Sequence, residues 1–201
     1  TRLAKKVGAI VIVDAAQSVS SMPDDLFALG VDAVCFSSHK MYGPSGVGVL
    51  AAKKSLLQSI PPLMYGGGMI RDVTLEGCEI AEAPSKFEAG TPPATEVFGL
   101  GAAIDWVQSL GRTRIHTHAA KLATQFHKGL ESIPGIVVST PSTGHETIIS
   151  FHHTRVHAHD LATFLDSSNV AVRAGHHCAW PLIRNLGVDA LVRASFAAYS
   201  D

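Results

Sequence analysis

Charge is sparse and balanced in this chain. Its 201 residues carry 16 Lys+Arg against 17 Asp+Glu, and charged residues make up only 16%. Without a basic excess there is no electrostatic footprint for nucleic acid, and none is expected as a partner. Long apolar runs are also missing. The longest, such as Ala9 to Val13, are strand-sized and far below the roughly 20 residues that cross a bilayer, so no membrane partner is expected either. Cysteine is scarce: Cys35, Cys78 and Cys178 make an odd number with no short paired spacing. That excludes a disulfide framework and points to a reducing compartment, the cytoplasm, with thiols free for chemistry. No signal peptide is visible, although the first residue is Thr1 and not Met. Internal repeats and low-complexity tracts are absent. What remains is 46% hydrophobic with a mean hydropathy of +0.22, the profile of a well-packed globular protein. Its length allows one full domain or two modest ones.

The opening reads as helix, strand, turn, helix, strand. Leu3 to Val7 form the end of a helix closed by Gly8. Ala9 to Val13 is continuous and β-branched, as expected for a strand buried on both faces of a parallel sheet. Asp24-Asp25 open a short helix ending at Gly30. Ala33 to Phe36 predict a second buried strand, and Gly46 to Ala52 a third, reached through Gly43-Pro44-Ser45-Gly46. This alternation predicts an α/β sheet, whose ligands lie beyond the carboxyl ends of the strands. From Lys53 to Pro93 the pattern loosens into long loops of the kind that more often carry function than idle. Thr91 is placed to cap the next helix, which runs to about Leu110. A second helix follows Gly111, with Ile115, Ala119, Leu122, Phe126, Leu130 and Ile133 along one face. Strands are predicted at 147–151, 170–173 and 191–196, with a helix over 159–166 that Asp160 caps. The domain expectation is therefore a larger domain over 1–111 and a smaller α+β domain over 112–201.

Two places carry chemistry. Asp14 ends the first strand, with Gln17 three residues on. An acid there points into the ligand crevice of a parallel sheet, although alone it reads equally as a helix cap. Ser37-Ser38-His39-Lys40 follows the second strand, so Lys40 lies in the same crevice, beside hydroxyls and an imidazole able to hold a phosphate. A lysine at a low-dielectric wall loses its proton readily and can react with a carbonyl. A metal site competes for the histidines: His152, His153, His157 and His159 cluster, and His176-His177-Cys178 lie further on. Consecutive residues of an extended chain point to opposite faces, so His-His-Cys is poor spacing for one ion, and no metal is expected. Gly66-Gly67-Gly68 lacks the Lys-Ser/Thr of a P-loop.

Asp14-Ala15-Ala16-Gln17, Ser37-Ser38-His39-Lys40-Met41-Tyr42-Gly43-Pro44 and Phe87-Glu88-Ala89-Gly90-Thr91-Pro92 resemble the pyridoxal-phosphate core of fold-type-I cysteine desulfurases. Arg173-Ala174-Gly175-His176-His177-Cys178-Ala179 is similar to the catalytic-cysteine loop of their SufS-like, group II branch, and Arg193-Ala194-Ser195 to the family's substrate-carboxylate segment. The resemblance spans the chain in order and implies an aminotransferase class V-like fold: an incomplete large domain and a small C-terminal domain cut before its last helix. It implies pyridoxal 5'-phosphate as cofactor, with Lys40 carrying it and later shuttling the Cα proton. Asp14 would pair with the pyridine nitrogen, Gln17 with the phenolic oxygen, and Ser37 and His39 with the phosphate. Thr91 would reach the phosphate of a neighbouring subunit, which implies a homodimer. Arg193 would fork onto the substrate carboxylate, with Arg173 supporting the pocket. Cys178 would be the nucleophile that takes sulfur from L-cysteine as a persulfide and releases alanine, with His176 and His177 at hand to form the thiolate.

A free cysteine is commonly a buried inert thiol, and Cys35 fits that; Cys78 stays open. The family's glycine run is followed by a polar residue, where Met69 stands here. A sulfur-acceptor protein, as in iron–sulfur cluster assembly, is the implied partner. Selenocysteine lyase activity on L-selenocysteine is a close alternative. A kynureninase-like lyase or aminotransferase of the same fold is another, and an inactive fragment a third.

Overall fold

The computed structural model describes residues 1–22, 25–144 and 146–201. The chain divides into two compact units, Thr1–Arg112 and Thr113–Asp201.

In the first unit a short helix, α1 (Arg2–Lys6), ends at Gly8, whose φ of 73° suits a residue without a β-carbon. Strands β1 (Ile12–Asp14), β2 (Ala33–Ser37) and β3 (Gly48–Ala52) form one sheet in the order β1-β2-β3. β1 and β2 run parallel, with Asp14 opposite Cys35; β2 and β3 run antiparallel, with Ser37 opposite Gly48. The expected parallel sheet is thus corrected at its third strand. The segment 38–47 is too short for the crossover of a dozen or more residues that parallel pairing needs. The first strand is corrected too. It begins only at Ile12, and Ile10 and Ile12 are 60% and 62% exposed, because no described residue of this unit covers that face. The unit's buried cluster is Ala15, Val31 and Val34, with Val11, Val13, Leu26 and Phe36 packed against it.

Asp24 lies outside the described residues. Residues 25–30 form turns in place of the expected helix, with Asp25 accepting from the amides of Phe27 (3.0 Å) and Ala28 (3.2 Å). The Asp25 carboxylate takes these two amides in a local side-chain turn, which competes with helix at this point. The supposed long loops of 53–93 hold helix α2 (Lys54–Ser59) and a hairpin, β4 (Ile70–Val73) with β5 (Cys78–Ile80). Elements this short leave too few residues for a period to show. Helix α3 (Ala94–Leu110) follows, capped by no side chain, so Thr91 does not cap it.

One buried charge ties this unit together. Asp32 stands at the start of β2 and accepts from Lys5 of α1, from Lys53 after β3 (3.0 Å) and from the amide of Val11 (2.8 Å). Chiefly the bond from Lys5, then those from Val11 and Lys53, hold its carboxyl far below the ordinary range. A carboxyl depressed in the folded state contributes stability above its unfolded pKa of about 3.9, and that contribution is lost as pH falls toward the folded value. Asp32→Asn is therefore expected to lower the urea midpoint at pH 7, with the gap to wild type closing below about pH 4. A gap that stays constant down to pH 2 would contradict it.

The second unit opens on helix α4 (Arg112–Glu131) and contains a four-stranded antiparallel sheet in the order β6-β7-β9-β8. Its strands are β6 (Ile136–Val138), β7 (Ile148–His153), β8 (Arg173–Gly175) and β9 (Leu191–Ser195), with helices α5 (Ala158–Asp166) and α6 (Trp180–Asn185). Phe151, Ile149 and Val192 are at most 2% exposed and pack with Leu130 and Ala123 of α4 and Ala158 of α5. Phe126 meets Phe151 edge-on, with centroids 5.7 Å apart.

The face of α4 is close to expectation at Ile115, Ala119 and Leu130. It differs at Ile133, which lies past the helix end and is 49% exposed, and at His127, which is 6% exposed. The third strand begins at Arg173, not at Val170, since Ser167 to Val170 are spent on the C-terminal turn of α5. The α5 cap is His157, whose Nδ1 accepts from the amide of His159 at 3.3 Å, so Asp160 sits inside the first turn instead. His153 does similar work, accepting from Arg155 (3.0 Å) and Val156 (3.1 Å). These histidines are turn and cap residues, and among the described residues no group of His, Cys, Asp and Glu is placed to hold a metal ion. No helix among them is long and apolar enough to cross a membrane.

Candidate active site

The sequence-predicted residues fall into two sets, one in each unit. In the first, parallel pairing of β1 with β2 brings their carboxyl ends to one edge of the sheet, so Asp14 and the segment Ser37–Lys40 leave the sheet side by side. Asp14 is exposed, and its Oδ1 accepts from the amide of Ala16 at 2.9 Å, which turns the chain toward Gln17. Gln17 is exposed at the same end.

The lysine turn is built on buried neighbours. Ser38–Lys40 form one 3-10 turn, and the carbonyl of Ser38 accepts from Met41 (2.8 Å) and Gly43 (3.1 Å). Met41, 4% exposed, anchors the turn below, and His39 and Lys40 are left exposed above. Neither Lys40 nor His39 forms an ion pair or hydrogen bond among the described residues. Gly43 is required here: a β-carbon on it would lie 2.2 Å from the hydroxyl of fully buried Ser38 and 3.2 Å from its carbonyl. Helix α3 braces this turn. Gly99 lets it approach Pro44 so closely that a β-carbon would sit 2.9 Å from the proline ring, and Trp106 packs edge-on against Tyr42 at 4.9 Å.

The glycine run turns out to be a brace as well. Gly66 would meet the backbone of Gly90 at 3.3 Å with any β-carbon, and the amide of Gly90 donates to the carbonyl of Gly67 at 2.8 Å. Met69, in the place expected for a polar residue, is fully buried. The run thus positions Thr91, which is exposed and one residue beyond. The packing roles of Ser38, Gly43 and the Gly66–Gly90 contact are not legible in the sequence, because no local pattern announces close packing.

The second set lies on β8, β9 and the turn after β8. Arg173 and Arg193 are register partners, so two guanidinium groups extend from directly opposed positions of the sheet. Arg193 is half-buried, and its Nε is buried with no partner among the described residues. Like charges at opposed positions are unfavourable unless something of opposite sign offsets them. Cys178 is exposed, and its φ of 60° places it in the left-handed region. His176 stacks on Trp180 with centroids 3.5 Å apart, while His177 turns inward and bonds the carbonyl of Leu191 at 3.1 Å. Cys35 is a partly buried thiol facing the carbonyl of Val13 at 3.7 Å, and Cys78 is exposed on β5.

The chain is similar to known proteins along its whole length. A probable cysteine desulfurase 2 of Mycobacterium leprae is 45% identical over 199 residues, covering 98% of this chain and 48% of that one. The cysteine desulfurase CsdA of Escherichia coli, solved with an S-sulfonic acid, superposes with a TM-score of 0.93 at 37% identity, over 100% of this chain and 50% of that. A C-DES variant solved with glycine covalently linked to its PLP cofactor superposes with a TM-score of 0.75 at 26% identity, over 96% of this chain and 48% of that. The chain therefore spans about half the length of the curated relatives it matches. The sequence pattern of the aminotransferase class-V family matches residues 1–201, and the chain belongs to that family.

Proposed function

We propose that this chain supplies the lysine-bearing and cysteine-bearing parts of a pyridoxal-phosphate-dependent cysteine desulfurase, which converts L-cysteine to L-alanine and leaves the sulfur on Cys178. The observation that carries the reading is the exposed Cys178 thiol on the turn that leaves β8, the strand whose Arg173 opposes Arg193.

The donor set fits the cofactor. An amine free of ion pairs, a carboxylate, a hydroxyl and an imidazole leave one sheet edge together, as an aldehyde, a ring nitrogen and a phosphate require. Lys40 would hold the cofactor through its amine, Asp14 its ring nitrogen, Gln17 its phenolic oxygen, and Ser37 and His39 its phosphate. When bound, the cofactor supplies an electron sink that stabilises negative charge at the substrate's Cα. Lys40 would also move the Cα proton. Arg193, supported by Arg173, orients the substrate carboxylate with a planar fork that an ammonium cannot copy. Cys178 as thiolate forms a bond to the substrate sulfur as the Cβ–S bond breaks. The bonding pair leaves with carbon, which takes up a proton to become alanine, and the persulfide stays on Cys178.

The reading extends to assembly and place. Thr91 reaches the phosphate of a neighbouring subunit in a homodimer, and a sulfur-acceptor protein takes the persulfide onward. Free Cys35, Cys78 and Cys178 support residence in the reducing cytoplasm.

Borohydride reduction of the chain with pyridoxal phosphate, followed by peptide mapping, tests the first half of this reading. Stoichiometric label on Lys40 is expected. Label scattered over surface lysines, at a level unchanged in Lys40→Ala, would sink it.

A further inference from the structure

The turn that carries Cys178 is built against local preference. The amide of Ala179 donates to the carbonyl of His176 at 2.9 Å, and the two residues between, His177 and Cys178, have φ of 53° and 60°. That sign pattern belongs to type I′ turns, which normally recruit Asn-Gly or Gly-Gly because side chains crowd the left-handed region. Neither His177 nor Cys178 escapes that steric cost. A backbone held this way persists only where its surroundings determine it more strongly than its own preference does.

His177 supplies the determining contact. Its ring reaches from the turn to β9, where Nε2 lies 3.1 Å from the carbonyl of Leu191. A carbonyl only accepts, so Nε2 carries the proton and Nδ1 is the bare nitrogen, buried with no partner among the described residues. Burial chiefly lowers the pKa of this imidazole, partly opposed by the bond to Leu191. Arg193 on β9, Arg173 on β8 and His176 on the turn act in the same direction as burial. A proton arriving at Nδ1 would find no acceptor and two guanidinium groups.

We infer that His177 is a positioning residue: by pinning the turn to β9 through Leu191, it holds Cys178 in its left-handed conformation with the thiol exposed. The inference rests on the reading of Cys178 as the sulfur-accepting thiol. It assigns the neighbouring imidazole to holding the nucleophile's backbone, not to taking its proton.

Amide hydrogen exchange across Gly175–Ala179 separates this role from a mere tolerance of positive φ. Asparagine accepts the left-handed region more readily than histidine but is too short to reach Leu191. Glutamine is no better suited to positive φ, yet it carries an N–H at comparable reach. In His177→Asn the turn amides are expected to exchange about fivefold faster, the effect of one lost hydrogen bond, while His177→Gln stays within about twofold of wild type. Amides of β7 should be unchanged in both and report that the unit is folded. In wild type, turn opening corrected for intrinsic exchange should increase as pH falls below about 6.5, because the released ring binds a proton that the seated ring refuses. His177→Gln should lack that acid response. A His177→Asn turn as protected as wild type would overturn the inference. Should the asparagine variant also lose β7 protection, a wild-type opening that is flat with pH would overturn it instead. Persulfide formation on Cys178 is scored separately: its absence from wild type would sink the desulfurase reading, whereas the exchange comparison sinks only the role of His177.

Discussion

Cys178→Ser is expected to reduce alanine formation from L-cysteine by at least about a thousandfold, while pyridoxal phosphate still labels Lys40 to full stoichiometry. Serine fills nearly the same volume on an exposed turn, so little of the fold is at stake. What disappears is the nucleophile. A thiol ionises near pH 8.5 and attacks sulfur readily, whereas a hydroxyl stays protonated and forms no persulfide. Amino-acid analysis of the alanine released, with mass mapping of the Cys178 peptide, checks both halves. Alanine released at the wild-type rate would exclude sulfur transfer to Cys178. L-Selenocysteine belongs in the same experiment, because selenium leaves carbon more easily than sulfur. Retained selenocysteine cleavage beside lost cysteine cleavage would assign Cys178 to the harder of the two bond breakings.

Arg193→Gln is expected to lower kcat/KM for L-cysteine by roughly a hundredfold or more, the scale of two charge-assisted bonds to one carboxylate. It is not expected to lower the thermal midpoint. Arg193 and Arg173 occupy opposed positions on β9 and β8, and the Nε of Arg193 is buried with no partner among the described residues. Without a substrate anion the two guanidinium groups repel each other, so removing one relieves the empty site while disabling it. Arg193→Lys should fall between the two, because it keeps the charge but loses the planar fork. Measuring kcat/KM and the midpoint on the same preparations decides the matter. A loss of activity that tracks a loss of stability across the three proteins would assign Arg193 to the fold instead.

Part of this was legible in the sequence. The end of α3 follows from Gly111, and the body of α4 from the apolar spacing of Ile115, Ala119 and Leu130. The two clusters, Ser37–Lys40 and Arg173–Cys178, are continuous in sequence and need no tertiary knowledge to be noticed. Asp32 shows the opposite case. No local pattern singles it out, yet it ties the segments around α1, β1 and β3 together because Lys5, Val11 and Lys53 converge on it. Ile12 misled for a related reason: a β-branched run states that a segment is extended, not that another layer covers it.

The sequence by itself determined the groups available: an amine at Lys40, thiols at Cys35, Cys78 and Cys178, guanidinium groups at Arg173 and Arg193, and their order along the chain. Residue type sets intrinsic nucleophilicity and hydrogen-bonding capacity, whereas neighbours decide the shifts at Asp32 and His177. Only the tertiary structure decided that β3 runs against β2, that Arg173 stands opposite Arg193, and that His177 faces inward while Cys178 faces out. Strand direction, register and the sign of φ are settled by contacts between residues far apart in the chain. The energy of such contacts overrides local preference, as it does at His177 and Cys178, where the local sequence alone favours a different turn.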